Sequence, residues 1–232
     1  MPYQQPEPLT LVSQRLLGRV ILVTGASSGI GAAAVRRFAA EGAIVAAAAR
    51  REDRITTLAA ELREAGSEAL AVRCDVTDEA SVARAVDEVV RTFGRLDGAF
   101  NNAGVGGTHH PLHETGTADF DRVLATNLRG PFLCMKYEIP AMLEAGGGSI
   151  VVTSSVGGLV GGAANSVYAT SKHGLTGLVR CAALDYARAG IRVNAIAPGP
   201  TRSEMFDRWM PTDESRWTTG TVFPCEGGIT AR

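Results

Sequence analysis

The chain has 232 residues, of which 45% are hydrophobic and 20% are charged, so it is long enough to bury a substantial core. Its 23 lysines and arginines nearly balance its 24 acidic residues, and this balance argues against a nucleic-acid-binding surface. No apolar run approaches the roughly 20 residues that span a bilayer, and the N-terminus lacks the pattern of a secretory signal. Four cysteines without a C-x-x-C pair indicate free thiols, so we predict a cytoplasmic protein.

The chain begins with a proline- and glutamine-rich stretch, which predicts a flexible arm over residues 1–15 ahead of a single domain over 16–232. Beyond this arm, short apolar runs alternate with helical patterns. Several of the runs are apolar almost throughout, which is typical of strands that are covered on both faces. The predicted strands are 19–24, 44–49, 69–73, 98–101, 149–153, 192–197 and 221–224.

Helical patterns fill the stretches between the strands, for example over 31–41 and 79–93. In the second of these, one apolar stripe recurs at three- and four-residue steps, at Val82, Val86, Val89 and Phe93. Glycines just past helical segments favour left-handed C-caps at Gly42, Gly66 and Gly94. The alternation predicts an α/β fold with a Rossmann-like, doubly wound parallel sheet of about seven strands and helices on both faces.

A glycine-rich turn links the first predicted strand to the first helix and reads VTGASSGIG. Gly25, Gly29 and Gly31 let the backbone turn sharply and approach a pyrophosphate, while amides at the helix N-terminus face its negative charge. The spacing is G-x-x-x-G-x-G rather than G-x-G-x-x-G, and a tight turn without a ligand is the alternative. The position of the turn at the first strand–helix junction favours a dinucleotide site.

A tyrosine and a lysine stand four residues apart in the sequence SVYATSKHG, so Tyr168 and Lys172 share a face of a predicted helix. A lysine ammonium beside a phenol lowers the phenol pKa, which is about 10 in model peptides, and makes it a competent acid or base. An ordinary amphipathic helix is the alternative. Ser155 lies thirteen residues before the tyrosine, after a strand, where its hydroxyl can bind a substrate oxygen or simply cap a turn.

Five motifs together resemble the classical short-chain dehydrogenase/reductase (SDR) family. They are TGASSGIG, NNAG, TSS, YATSK and RVNAIAPGP, and they occur in the order and spacing of that family. The resemblance extends over residues 16–232. It implies a Rossmann-type fold, a nicotinamide cofactor and hydride transfer between a carbonyl and a secondary alcohol.

The resemblance implies a catalytic role for four residues. Tyr168 would be the general acid/base, and Lys172 would lower its pKa and bind the nicotinamide ribose. Ser155 would hold the substrate oxygen, and its distance from the tyrosine favours it over Ser154. Asn127 would hold a water molecule that links the lysine to solvent, although a polar residue at a helix bend is also compatible with that position.

Further cofactor contacts are implied along the sheet edge. Asp75 would contact the adenine, and the Asn101 side chain would stabilise the central sheet. The Thr201 backbone would reach the nicotinamide carboxamide, and the Ser203 hydroxyl the pyrophosphate. The complete set of expected cofactor residues is Gly25, Ser27, Ser28, Gly29, Ile30, Gly31, Arg50, Arg51, Asp75, Val76, Asn101, Ala103, Gly104, Tyr168, Lys172, Pro198, Gly199, Thr201 and Ser203.

Two arginines at the end of the second strand favour NADP(H) over NAD(H). Relatives that prefer NAD carry an acidic residue where this chain has Ala49, and Arg50 follows at once. A guanidinium can grip a 2′-phosphate, and Arg51 adds a second contact or stacks on the adenine. Ser28 weakens this prediction, because many NADP-preferring relatives place a basic residue there. The alternative is a pair of solvated charges that meet the two acidic residues that follow.

A cluster of histidines invites a metal-site interpretation, at His109, His110 and His113. The segment has no matching acidic or cysteine partners, so we interpret it as a surface loop and predict no metal. Cys134 and Cys181 lie inside helical patterns and are expected in the core.

The segment 203–218 is shorter than the capping segment and helix that the family has before its last strand. Either the protein lacks that helix or the sequence lacks residues there. The second interpretation is favoured, because an uncovered strand surface costs about 25 cal/mol per Å².

The sequence therefore predicts an NADP(H)-dependent oxidoreductase that acts on a modest-sized, uncharged carbonyl or alcohol. An NAD(H)-dependent alcohol dehydrogenase of the same family and a non-catalytic dinucleotide-binding sensor or scaffold are the alternatives. An epimerase or dehydratase generally needs a larger C-terminal substrate region. The resemblance also implies a homotetramer or a homodimer, and neither nucleic acid nor membrane is an expected partner.

Overall fold

The computed structural model describes residues 14–199 and residue 201. Its described part contains one parallel sheet of six strands in the order β3-β2-β1-β4-β5-β6. The sequence predicted each of these strands to within one residue at either end, and the seventh predicted strand, 221–224, lies outside the described residues. The strands are β1 (Val20–Thr24), β2 (Ile44–Ala49), β3 (Ala69–Arg73), β4 (Gly98–Asn101), β5 (Gly148–Thr153) and β6 (Ile191–Ile196).

Within residues 14–199, six α-helices connect and cover these strands. The predicted 79–93 helix has the same bounds in the structure, and Asp78 caps it by accepting a hydrogen bond from the Ala80 amide. The three predicted cap glycines have positive φ angles, so their prediction is confirmed. The helices are α1 (Gly29–Ala40), α2 (Glu52–Glu64), α3 (Glu79–Phe93), α4 (Thr117–Leu124), α5 (Gly130–Glu144) and α6 (Ser166–Tyr186).

The sheet separates two apolar clusters, which explains why its central strands are apolar without alternation. Val20 and Leu22 of β1 pack into the cluster formed with α3, α5 and α6. Ile21 and Val23 point to the opposite face and pack into the cluster formed with α1 and α2. Because side chains alternate along a strand, a strand covered on both faces needs apolar residues at every position.

The two predicted core cysteines differ in burial. Cys134 is buried, as expected, whereas the prediction is wrong for Cys181, which is exposed. The buried face of α6 carries Leu175, Val179 and Ala182. Position 181 points to the other side of the helix, because successive residues are about 100° apart.

A cavity of about 1050 Å³ lies on the sheet face opposite α5 and α6 and away from the tyrosine–lysine pair. Phe38 of α1, Phe100 of β4 and Val151 of β5 line it, together with Thr201 at the end of the described chain. The segment 203–218, expected to be short, lies outside the described residues. Among the helices that the structure describes, none combines the length and apolarity needed to cross a membrane.

The order in which successive strands are placed in the sheet reverses between β1 and β4, and the candidate site lies at this reversal. Strand β2 and then β3 are added on one side of β1, whereas β4, β5 and β6 are added on the other. Thr24 pairs with Asn101 at the ends of β1 and β4. Ligands of open α/β sheets bind outside the carboxyl ends of the strands at such a switch point.

A buried aspartate ties the start of the sheet together at the opposite edge. The Asp97 carboxylate accepts hydrogen bonds from the Val20 amide and from Arg19 Nη1, both at 3.0 Å. It also accepts from Arg95 Nε at 2.9 Å. Burial raises the pKa of this carboxyl group, but the bonds from Arg95, Val20 and Arg19 outweigh burial and lower it.

We expect Asp97→Asn to lower the free energy of unfolding by about 1–3 kcal/mol, because charge-assisted bonds to a buried carboxylate are lost. Urea unfolding at neutral pH measures this change. Asp87→Asn is the matched control, because Asp87 forms a solvent-exposed pair with Arg91 of the same helix. Such pairs contribute roughly 0.3–0.5 kcal/mol. Equal losses in the two variants would contradict the structural role of Asp97.

Candidate active site

The glycine-rich turn has a backbone that tolerates no side chain at two positions. Gly25 has a φ of +67°, and a β-carbon there would lie 2.8 Å from the Ala103 Cα. A β-carbon at Gly31 would collide with the Gly25 carbonyl oxygen. Ser28 precedes α1 in an extended conformation, and its side chain does not cap the helix. The first amides of α1 therefore face the turn, as an anion-binding helix N-terminus requires.

The two asparagines of NNAG form hydrogen bonds with different parts of the fold. The Asn102 amide donates to Thr24 Oγ1 at 3.1 Å, and its side-chain Oδ1 accepts from Thr153 Oγ1 at 3.1 Å. Asn102 therefore bridges the ends of β1 and β5, and sequence reasoning missed this residue. Asn101, expected to stabilise the central sheet, donates from Nδ2 to Glu138 on α5 at 2.8 Å. The two neighbours point to opposite faces because side chains alternate along a strand.

Lys172 is buried against the end of β5. Its side chain is only 3% exposed, and Nζ donates to the Thr153 carbonyl oxygen at 2.7 Å. The same Nζ lies 5.7 Å from the centre of the Tyr168 ring. Burial lowers the pKa of Lys172 to about 8. Lys172 and Tyr168 therefore lie together on the buried face of α6.

The pKa of Tyr168 differs from the expectation. Burial raises it above the ordinary value, and a hydrogen bond with Ser155 opposes this rise only in part. The lowering expected from Lys172 is absent, and its ammonium group donates to the Thr153 carbonyl oxygen. In this structure Tyr168 is thus a protonated phenol at neutral pH.

The adjacent serines have different environments, which supports the choice of Ser155. Its Oγ accepts from the Gly157 amide at 3.1 Å and so caps the 3₁₀ turn Val156–Gly158. The same side chain interacts with Tyr168. Ser154 is buried instead, and its amide donates to the Ile196 carbonyl oxygen at 2.7 Å.

Asn127 lies in a π-helical turn, Ala125–Arg129, that joins α4 to α5. It is fully buried; Oδ1 accepts from the Val105 amide and Nδ2 donates to the Val105 carbonyl oxygen, both at 2.8 Å. A β-carbon at Gly104 would lie 3.5 Å from Asn127 Oδ1 and 3.8 Å from Lys172 Nζ. The turn therefore brings Asn127 to the lysine, and π-turns often occur at functional sites.

Ser171 is a second residue that sequence reasoning missed. Its Oγ donates to the Tyr168 carbonyl oxygen at 2.7 Å and accepts from Asn127 Nδ2 at 3.2 Å. This hydroxyl connects the π-turn to α6. The signal was present in YATSK, because Ser171 stands three residues after Tyr168 and residues at that spacing share a helix face.

The ends of β2 and β3 form the part of the edge where the sequence predicts the adenine. Asp75 Oδ1 accepts from the Thr77 amide at 3.0 Å and from Thr77 Oγ1 at 2.8 Å. Burial raises the pKa of Asp75, but the Thr77 bonds and the charges of Arg50 and Arg73 together lower it. Val76 is buried beneath Gly130, where a β-carbon would lie 3.0 Å from Val76 Cγ2.

The two arginines after β2 take different directions. Arg51 reaches back to the glycine-rich turn, and its Nη2 donates to Ser27 Oγ at 2.9 Å and Ser28 Oγ at 2.7 Å. Arg50 is exposed, on the side of Asp75. Both arginines thus stand at the edge where sequence reasoning placed the ribose.

The segment after β6 approaches the serine. The Pro198 carbonyl oxygen accepts from the Val156 amide at 3.1 Å, next to Ser155. Thr201 is exposed, and its hydroxyl donates to the Gly199 carbonyl oxygen at 3.1 Å. Ser203 lies outside the described residues, so its expected contact with the pyrophosphate stays a prediction.

The three clustered histidines are exposed, and His113 lies 3.5 Å from Glu114. Over residues 14–199 and residue 201, no three histidine, cysteine or acidic side chains are grouped as a metal site needs.

A doubly wound sheet with a glycine-rich turn at its switch point defines a dinucleotide-binding protein. Comparison with protein families identifies the family of this dinucleotide-binding protein, because the short chain dehydrogenase model matches residues 19–214. The chain belongs to this family. It is therefore an oxidoreductase that uses a nicotinamide cofactor on alcohol or carbonyl groups.

Named relatives and solved structures agree with this membership. The A-factor type gamma-butyrolactone 1'-reductase (1S-forming) of Streptomyces virginiae is 51% identical over 195 residues, which cover 84% of this chain and 76% of the relative. A crystal structure of levodione reductase has a TM-score of 0.82 and 42% identity, and the match covers 84% of this chain and 76% of the other. NAD⁺-bound xylitol dehydrogenase has a TM-score of 0.81 at 40% identity, with 84% and 75% covered.

We compare the free energies of unfolding of the wild type and Lys172→Met. The wild type should gain stability relative to the variant as the pH rises from about 8 towards 10.5. The buried lysine binds its proton less tightly in the folded chain than in the unfolded chain, so the penalty of burying a charge disappears at high pH. Urea unfolding between pH 7 and pH 10 measures the difference. Lys136→Met is the control, because that exposed ammonium pairs with Glu79 and its pKa is raised. A pH-independent difference between the wild type and Lys172→Met would contradict a depressed lysine pKa.

Proposed function

We propose that this enzyme is an NADP(H)-dependent carbonyl reductase that also catalyses the reverse oxidation of a secondary alcohol. The observation that supports this proposal most directly is the Ser155–Tyr168 pair at the carboxyl edge of the sheet, with the buried Lys172 behind it. When bound, the nicotinamide cofactor supplies or accepts the hydride. The protein residues have to bind, orient and protonate the substrate.

In the proposed reduction, Tyr168 is the general acid. Its phenol carries a proton at neutral pH, since its ordinary pKa of 10.0 already lies well above 7 and burial raises it further. A proton donor is what a developing alkoxide needs. Ser155 donates a hydrogen bond to the same substrate oxygen and shares its negative charge. A phenol that is protonated at neutral pH is in the form that the reduction requires.

We propose that Lys172 and Asn127 complete this site. Lys172 would bind the nicotinamide ribose and stabilise the phenolate that remains after proton transfer. Asn127 would hold a water molecule that returns a proton from solvent, and its burial beside Gly104 and Lys172 supports that position. The side chain is held by Val105 and Ser171, so it needs no rearrangement to act.

The glycine-rich turn fits a dinucleotide. Gly25 and Gly31 leave no room for a β-carbon, so the backbone of the turn can approach a pyrophosphate closely. The amides at the start of α1 would bind its negative charge, and NNAG, packed against Gly25, would support the adenosine half. The turn after β6 would contribute the remaining contacts to the nicotinamide.

The preference for NADP(H) is proposed from Arg50, Arg51 and the serines of the turn. Ser27 and Ser28 accept hydrogen bonds from Arg51 and keep their own hydroxyl protons, which can be donated to a phosphate oxygen. Arg50 adds a second cation beside them. NAD(H) is the alternative, and the similarity to NAD⁺-bound xylitol dehydrogenase favours it.

We infer an uncharged substrate of modest size with an apolar part. Exposed apolar side chains follow Ser155 directly, at Val156, Leu159 and Val160, and the intervening residues are glycines. Leu112 is also exposed, in the loop that follows NNAG. These residues offer an apolar surface and no charge for a phosphorylated substrate. The named lactone and levodione reductases are consistent with a ketone of this kind.

A homotetramer or a homodimer in the cytoplasm is also proposed. Phe120 of α4 and Phe132 of α5 are large apolar residues with 41% and 49% exposure, and Leu184 of α6 is 71% exposed. Association through these helices would cover them. The cytoplasmic location is proposed from the free cysteines at 74, 134 and 181.

Tyr168→Phe is expected to lower kcat at least about a hundredfold, because general acid catalysis contributes roughly 10²–10⁴ to the rate. The dissociation constant of NADPH, measured by fluorescence titration, should change little. Tyr186→Phe at the end of the same helix is the matched control and keeps full activity. Turnover retained in Tyr168→Phe would refute the proposed acid.

Arg51→Ala is expected to raise the KM for NADPH by at least about tenfold and leave that for NADH nearly unchanged, because charge-assisted bonds to the phosphate are lost. Arg50→Asp should move the preference further towards NADH. Arg63→Asp, an exposed change of equal charge near the end of α2, controls for net charge. If both cofactors respond equally to Arg50→Asp and to Arg51→Ala, the proposed 2′-phosphate site is wrong and the NAD(H) alternative stands.

A further inference from the structure

Glu138 is an acidic residue in the core that the proposed mechanism does not use. It lies on the inner face of α5 with 0% exposure, and its Oε2 accepts from Asn101 Nδ2 at 2.8 Å. Two arginines pair with Asp97, the acid at the other edge of the sheet. Glu138, in contrast, has no ion pair with any residue in the described part of the chain.

Two buried oxygen atoms at this contact need a hydrogen. Glu138 Oε1 and Asn101 Oδ1 are both inaccessible to water, and neither has a hydrogen-bond partner among the residues described. A buried acceptor without a partner costs roughly 1–3 kcal/mol. Both atoms are acceptors if Glu138 is ionised, so they cannot satisfy each other. A single proton on the carboxyl group would satisfy both of them.

Within the part of the chain that the structure describes, no positively charged group pairs with an ionised Glu138. The titratable groups that interact with it are the thiols of Cys74, after β3, and Cys134, one turn earlier in α5. Burial raises the pKa of each thiol, so both are neutral. The elements that pack against α5 present apolar side chains to the shared core, among them Val82, Val86 and Val89 of α3, Ile150 and Val152 of β5, Leu175 of α6 and Val193 of β6.

We propose that Glu138 is protonated in the folded enzyme and forms a reciprocal pair with the Asn101 carboxamide. Nδ2–H of the asparagine donates to Oε2, and Oε1–H of the glutamic acid donates to Oδ1. Asn101 ends β4 and is followed by Asn102, which bridges the neighbouring strand ends, and by the loop that packs on Gly25. Glu138 is thus a positioning residue that acts through Asn101 on the cofactor edge.

The Glu138–Asn101 pair makes the free energy of unfolding decrease as the pH rises. Burial raises the pKa of Glu138 from 4.5 to about 7. The folded chain therefore binds the proton more tightly than the unfolded chain does. The contribution of the pair is complete below about pH 4.5 and is lost as the pH rises through about 7.

Glu138→Gln is the decisive variant, because a glutamine amide donates to Asn101 Oδ1 and accepts from Nδ2 without a titrating proton. We expect its melting temperature to match that of the wild type near pH 5 and to exceed it at pH 8. Glu144→Gln, an exposed change on the same helix, should show no such crossover. Glu138→Leu leaves the asparagine oxygen without a donor and should lower the melting temperature at every pH.

Two further readouts separate positioning from general stability. The infrared difference spectrum of the wild type minus Glu138→Gln at pH 5 should contain the band of one protonated carboxyl group. The dissociation constant of NADPH should be near that of the wild type in Glu138→Gln and raised at least threefold in Glu138→Leu. A pH-independent melting difference between wild type and Glu138→Gln, or the absence of the carboxyl band, would overturn the proposal. The melting temperatures and the carboxyl band are measured without turnover, so their outcome is independent of the proposed catalytic function.

Discussion

The arrangement of the site depends on one buried interaction, the hydrogen bond from Lys172 Nζ to the Thr153 carbonyl oxygen at the end of β5. A lysine that is 3% exposed has to bind an oxygen, and the last carbonyl group of a strand offers one beyond the sheet ladder. The bond fixes α6 against the carboxyl edge of the sheet. It also holds the ammonium group 5.7 Å from the centre of the Tyr168 ring, while burial has the largest effect on the pKa of the tyrosine.

A network of hydrogen-bonded polar side chains surrounds this interaction. Asn102 connects the ends of β1 and β5, and the π-turn carries Asn127 to within reach of Ser171 on α6. Thr24 and Thr153 hold Asn102, and the Val105 backbone holds Asn127, so contacts with other segments of the chain position both asparagines. The glycine-rich turn packs against the same loop, so the proposed cofactor and substrate sites share one supporting framework.

The sequence predicted the parts of this arrangement that depend on local or periodic signals. Strand β2 and helix α3 have the predicted bounds, because an unbroken apolar run and a single apolar stripe leave little choice of period. The π-turn at Asn127 and the bridging role of Asn102 were not predictable, since both depend on contacts between distant segments. Cys181 was wrongly predicted to be buried, because a local helical pattern does not show which side of the helix faces the core. The raised pKa of Tyr168 also escaped sequence reasoning, because a spacing of four residues does not reveal where the ammonium group is bound.

The central claim is that Tyr168 is protonated at neutral pH, because burial keeps its pKa from falling below the ordinary value of 10.0, so that it acts as the acid in carbonyl reduction. The most direct measurement is the pH dependence of kcat in both directions with saturating cofactor and a ketone–alcohol pair. The account predicts a plateau for reduction through neutral pH with a decline at alkaline pH, and a rise for alcohol oxidation over the same alkaline range. An oxidation rate that has already reached its plateau at neutral pH would show an ionised base there and would contradict the account.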